Sequence, residues 1–207
     1  MDCTNLTTAI VKPSAGQFNV DRPQWFYNCQ SLKDVSLPSL VGFPTYRTKV
    51  FGYCISLEEL NLPMATNLLS NTFEGCTSLK TFIATNVVSV GEQPFKFCNA
   101  LETVVLPKLK EVPTWTFDKK ANLRHLDLSG AEILSSSTMR ECFSLTELSL
   151  PNVTNIGYAT FADTPLTRLE LPKIDKATVQ QNASFWFITN ICTVICKDGE
   201  EYIATQP

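Results

Sequence analysis

The feature that most constrains this chain is a repeat with a period of 22 residues. Cysteines at Cys54, Cys76 and Cys98 are 22 apart, and Cys142 follows after twice that interval, with Lys120 standing where a cysteine would fall. Cys3 and Cys29 precede them at looser spacing. Three residues after each of these positions lies a leucine: Leu6, Leu32, Leu57, Leu79, Leu101, Leu123 and Leu145. Three residues before lies an aromatic or its substitute: Phe26, Phe51, Phe73, Phe95, Phe117 and Met139, continued by Phe161 with Thr164 in the cysteine column. Each leucine opens the pattern L-x-x-φ-x-L, usually closed by proline, as in Leu57, Leu60, Leu62 and Pro63. A second short apolar site recurs at Leu68, Val90, Val112, Leu134 and Ile156, twice followed by glycine (Gly91, Gly157).

One such unit is apolar on one side only and cannot bury that side alone. Stacked copies place every Leu, Phe and Cys against its counterpart and form a continuous core. The φ-x-L segment alternates as a half-buried strand does, and the proline, having no N–H to give to a ladder, ends it. The expected fold is therefore a repeat solenoid of about seven to eight coils over residues 1–184, its N-terminal coil incomplete. Parallel strands stack through it, joined by short helical or turn segments. Residues 185–207 read as a C-terminal cap, with Phe185-Trp186-Phe187-Ile188 covering the last core. A β-hairpin follows around Asp198-Gly199. The stretch between Cys3 and Cys29, with Pro13, Gly16 and Pro23, reads as a protruding loop.

The segments FEGCTSLKTF, FCNALETVVLPKL and CFSLTELSLPNVTNIGYATF resemble the BspA-type leucine-rich repeat, also called the Treponema pallidum type. The resemblance runs from about Cys3 to Phe185. It implies a leucine-rich solenoid with a sheet lining one side. It also implies a non-enzymatic interaction scaffold of the kind found on bacterial cell surfaces, where members are linked to adhesion, while others occur in mucosal parasites. It brings no shared catalytic residue.

The residues themselves narrow the chemistry. With 17 basic and 20 acidic side chains and a formal net charge of −3, the chain lacks the clustered Lys and Arg that a nucleic-acid backbone or an anionic membrane rewards. No apolar run reaches the length of a membrane span. Zinc wants ligands in close pairs, and the 22-residue ladder offers none; Cys192 and Cys196 are the one close pair, without a histidine at the right spacing. Stacked cysteines set their Cβ atoms one coil apart, ~4.8 Å, where a disulfide wants ~3.8 Å, so the column reads as small buried hydrophobes. The single histidine, His125, falls in an outward strand column flanked by Arg124 and Asp127 and reads as a surface residue rather than a base. No phosphate-binding or nucleophile-elbow motif occurs, and neither metal nor cofactor is expected.

On the strand face, the residues following the leucines alternate in sign through Lys33, Glu58, Lys80, Glu102 and Arg124, then continue as Thr146 and Thr167. Such an alternation fixes register more than it adds stability. A neighbouring outward column runs Ser36, Asn61, Ile83, Val105, Asp127, Ser149, Glu170, so Ile83 and Val105 form an adjacent apolar pair. Elsewhere Trp115 stands in a column of polar or small residues, and Tyr53, Phe97 and Tyr158 lie beside core columns. Aromatic and aliphatic side chains on a regular repeat surface are where binding concentrates, which makes these six the candidate binding residues. The expected partner is a protein or glycan.

The chain opens inside a repeat, which points to further repeats upstream or to docking of that end. The corresponding alternative function is a structural component of a virion or other large assembly. Met1-Asp2-Cys3 has no signal-peptide character. A cell-surface location is therefore expected for a mature fragment, and a virion or cytoplasmic one if Met1 is the start. The sequons at Asn5, Asn152 and Asn182 matter only in a eukaryotic secreted protein.

Overall fold

The computed structural model describes residues 3–10, 25–43, 49–185 and 188–205. The chain winds as a parallel β-solenoid, each coil of about 22 residues contributing one three-residue strand to a principal face. These strands run from Thr8–Ile10 and Asp34–Ser36 through Glu59–Asn61, Thr81–Ile83, Thr103–Val105 and His125–Asp127 to Glu147–Ser149 and Arg168–Glu170. Register follows the repeat: Leu60 pairs with Phe82, Phe82 with Val104, and Val104 with Leu126. The middle residue of each strand turns inward and its two neighbours turn outward, as the period of two requires. Pairing breaks between Ser36 and Glu59 and between Asp127 and Glu147. The first break falls in a coil of 25 residues, Asp34 to Glu59, against the usual 22.

A second face carries two-residue strands at Asn67–Leu68, Ser89–Val90, Glu111–Val112, Ile133–Leu134 and Asn155–Ile156. The recurrent glycine here has a steric cause. A Cβ on Gly91 would lie 2.3 Å from the Ser70 amide nitrogen, and one on Gly157 2.5 Å from that of Ser136.

The third side is the F-x-x-C turn, and its backbone was not foreseen from the repeat. Two residues per coil, four apart, are left-handed: Lys49 and Tyr53, Asn71 and Gly75, Gln93 and Phe97, Trp115 and Lys119, Ser137 and Glu141, Ala159 and Asp163. The left-handed twist aims amides at the next coil. Tyr53 N–H donates to the Glu74 carbonyl at 2.7 Å, Lys119 to Arg140 at 2.8 Å, and Glu141 to Ala162 at 2.9 Å. Each such conformation is costly for a side chain with a Cβ, and at Tyr53, Asn71, Lys119, Ser137 and Glu141 an inter-coil hydrogen bond offsets it.

Between these two positions the phenylalanines project into the core as a stack. Ring centroids are 5.0 Å apart for Phe26–Phe51, 5.4 Å for Phe51–Phe73, 5.6 Å for Phe73–Phe95 and 5.9 Å for Phe95–Phe117. Met139 interrupts the stack, and Phe161 meets Phe185 at 5.6 Å at the far end. Seven of the eight cysteines are buried thiols, Cys3 being half-buried, and four of them donate to the phenylalanine carbonyl of the preceding coil: Cys54 to Phe26 and Cys76 to Phe51 at 3.0 Å, Cys98 to Phe73 and Cys142 to Phe117 at 3.1 Å. Lys120, in the same column, is only 4% exposed and its ammonium donates to the Asp118 carbonyl at 2.8 Å.

After the last repeat strand, a helix spans Lys176–Gln181, opened by Asp175, whose carboxylate accepts from the Thr178 amide at 2.7 Å. Phe185 and Ile188 are buried against the final coil; Trp186 and Phe187 lie outside the described residues. The C-terminal hairpin joins Cys192–Ile195 to Glu201–Ala204 through a turn in which Asp198 and Gly199 are left-handed. Its first strand pairs parallel with Arg168–Glu170 and so extends the principal face. The loop expected around Pro13, Gly16 and Pro23 also lies outside the described residues.

Candidate interaction surface

The outward residues of the principal face line two adjoining open grooves of about 600 and 470 Å³. Ile83 lies in the first and Val105 in the second, and the two are register partners on adjacent strands. The sequence-expected apolar pair therefore sits where the grooves meet, beside Thr81 and Thr103, which are also register partners.

Charge surrounds this centre unevenly. In the alternating column, Lys80 reaches Glu58 at 2.7 Å, which draws the Glu58 carboxyl below and the Lys80 ammonium above their ordinary ranges. The other neighbours in that column do not close into ion pairs; among the described residues, Glu102 and Arg124 form none. Asp34 and Glu59 open successive strands that are not hydrogen-bonded to each other, and both line the first groove. Past Val105, Asp127 and Glu147 add two more carboxylates. Glu170 is occupied, accepting from Arg168 and Ser149, each at 2.9 Å, and this lowers its pKa. Together the grooves carry six carboxylates (Asp34, Glu58, Glu59, Asp127, Glu147, Glu170) against three basic side chains (Lys33, Arg124, Arg168). That excess of three equals the formal net charge of the whole chain, −3. Single columns read along the sequence do not reveal this concentration.

The remaining candidates lie on the turn side. Trp115 is 45% exposed, Phe97 53% and Tyr158 63%, and Phe143, the residue after Cys142 and absent from the sequence expectations, is exposed as well. Lys96 lies over the Phe97 ring, 5.2 Å from its centroid. Among the described residues no ring contact joins Trp115, Phe97 and Tyr158. Tyr53 is half-buried: its hydroxyl donates to Glu74 at 3.1 Å, Lys49 bridges the same carboxylate at 3.1 Å, and Tyr27 packs edge-on at 5.7 Å. These bonds hold its ring in the wall of the turn.

His125 is exposed on its strand, as its column predicted. Among the described residues, no group of three His, Cys, Asp or Glu side chains is arranged to hold a metal ion, and no helix is long and apolar enough to cross a membrane. The amides of Asn152 and Asn182 donate to the Ser129 and Ile156 carbonyls at 2.8 and 3.1 Å, so both sequon nitrogens serve the inter-coil ladder.

The family model for the BspA-type leucine-rich repeat region matches residues 2–124 and 110–206 in six copies, and the chain belongs to that family. Among solved structures it is similar to the T. pallidum leucine-rich repeat protein, with a TM-score of 0.50, 24% identity, and coverage of 55% of this chain and 58% of that one. It is also similar to a leucine-rich repeat protein from Bacteroides ovatus, with a TM-score of 0.60, 21% identity, and coverage of 78% and 48%. The chain thus spans about half the length of these structures. No match was found among curated proteins.

Proposed function

We propose that the chain is a non-enzymatic interaction scaffold that binds an extracellular protein through its principal strand face, in the setting of a cell surface. The observation that carries this reading is the pairing of half-buried Ile83 with Val105 at the junction of two grooves whose other outward residues, the exposed Ile10 at one end apart, are polar or charged. A repeat sheet holds such side chains rigidly and in register, so little ordering entropy is lost when a partner docks. Membership in the BspA-type family supports surface display and adhesion. The chemistry is consistent with binding rather than turnover: the thiols of Cys54, Cys76, Cys98 and Cys142 are buried and hydrogen-bonded inside the stack, and the histidine is exposed on a strand.

Attachment of the purified chain to extracellular-matrix proteins and to epithelial cells tests this reading. Replacing the pair, Ile83→Ser with Val105→Ser, is expected to weaken attachment at least about tenfold while circular dichroism stays unchanged. Protease treatment of the target surface is expected to abolish attachment and glycosidase treatment to spare it. Attachment equal to the parent's in the folded double variant contradicts the proposal.

A further inference from the structure

We infer that the strand face docks a cationic, extended protein segment: an apolar side chain seated on Ile83 and Val105, with Lys or Arg on both sides of it. The inference rests on the interaction reading of the same face and specifies its partner. Three observations carry it. The apolar pair occupies the centre of the face. Carboxylates flank it on both sides, Asp34 and Glu59 towards one end and Asp127 and Glu147 towards the other. Finally, the excess negative charge of the entire chain is concentrated in the two grooves.

Asp34 and Glu59 open successive strands that do not pair, and both carboxylates line the same groove. One column away the fold alternates charge and closes the Lys80–Glu58 pair at 2.7 Å, whereas Asp34 accepts only a long bond from the Thr8 hydroxyl at 3.4 Å and Glu59 forms no ion pair among the described residues. Like charges lining one groove repel. A partner bringing positive charge removes that repulsion, and electrostatic complementarity of this kind also steers encounter and selects against acidic partners. The geometry sets the length. From the Asp34 strand to the Glu147 strand there are five strand intervals of ~4.8 Å, or about 24 Å, which roughly seven residues of extended chain span. The occupant is thus a short run with basic ends and an apolar middle.

A displayed library of random 12-residue peptides, panned on the immobilised full chain, tests this directly. The expected result is enrichment of peptides with net positive charge around an aliphatic or aromatic centre. Their affinity should fall at least about tenfold with Ile83→Ser/Val105→Ser, and also with Asp34→Lys/Glu59→Lys. Binding should weaken on raising salt from 50 to 500 mM. Enriched peptides that are acidic or neutral, yet lost with the Ile83→Ser/Val105→Ser variant, overturn the cationic partner while leaving the face as the interaction surface. Enrichment indifferent to both variants, or no enrichment, overturns both.

Discussion

At position 120 an amine interrupts a column of thiols inside the core. Lys120 is buried beside the phenylalanine stack, and its ammonium has one carbonyl acceptor, that of Asp118. Burial pushes its pKa below the ordinary 10.5, with Cys98, Cys142 and Asp118 acting the other way. The unfolded chain therefore holds the proton more tightly between the depressed pKa and 10.5, and the stability linked to Lys120 rises with pH through that window. Lys120→Met keeps the unbranched shape and removes the charge; it is expected to stabilise the fold by about 1–3 kcal/mol at pH 7 in denaturant unfolding. The advantage should shrink as the pH is raised towards 10.5. The thiols titrate in the opposite sense. Burial pushes Cys142 up to about 12 and Cys76 well above its ordinary value, so their contribution is complete below the unfolded thiol pKa of about 8.5 and is lost as pH climbs through the folded values. Cys54, Cys76, Cys98 and Cys142 are accordingly expected to resist iodoacetamide in the native protein and to react fully after unfolding without reductant, as mass spectrometry would count them. Protection that persists in denaturant without reductant would mean that they are oxidised.

The coil is the element that repeats, and its three sides were unequally legible. The Leu, Phe and Cys columns declared the core because burial demands the same residue types at the same place in each copy. The principal strands followed from alternation closed by proline. The two left-handed residues of each turn were hidden, because backbone geometry rather than side-chain type sets that conformation, and side chains as different as Trp115, Lys119 and Ala159 occupy it. Asn71, Gly75 and Asp163 were the available signal, since these types tolerate φ > 0 best. Tyr53 looked like a surface aromatic because its bond to Glu74 crosses to the next coil. Two substitutions test the stacking account. Phe95→Ala removes the ring between Phe73 and Phe117 and is expected to cost about 3–5 kcal/mol. Gly91→Ala drives a Cβ into the Ser70 backbone and should destabilise by about 1–3 kcal/mol. If thermal melts of both variants matched the parent, close coil-to-coil packing would not be what holds the fold.

Across the whole molecule, the stack places chemically unlike sides in fixed relation. The principal face gathers the net charge of the chain around Ile83 and Val105, while the turn side presents Trp115, Phe97 and Tyr158 singly. The apolar pair was readable from one column of the sequence. The charge around it was not, because it emerges only when residues from seven strands are viewed together. On the function proposed above, the strand face, rather than the turn side, is the working surface. The most direct measurement compares attachment to matrix proteins and cells for two folded double variants, Ile83→Ser/Val105→Ser and Phe97→Ser/Tyr158→Ser. The first is predicted to lose at least about nine-tenths of the parent's attachment and the second to retain most of it; the reverse outcome would contradict the account.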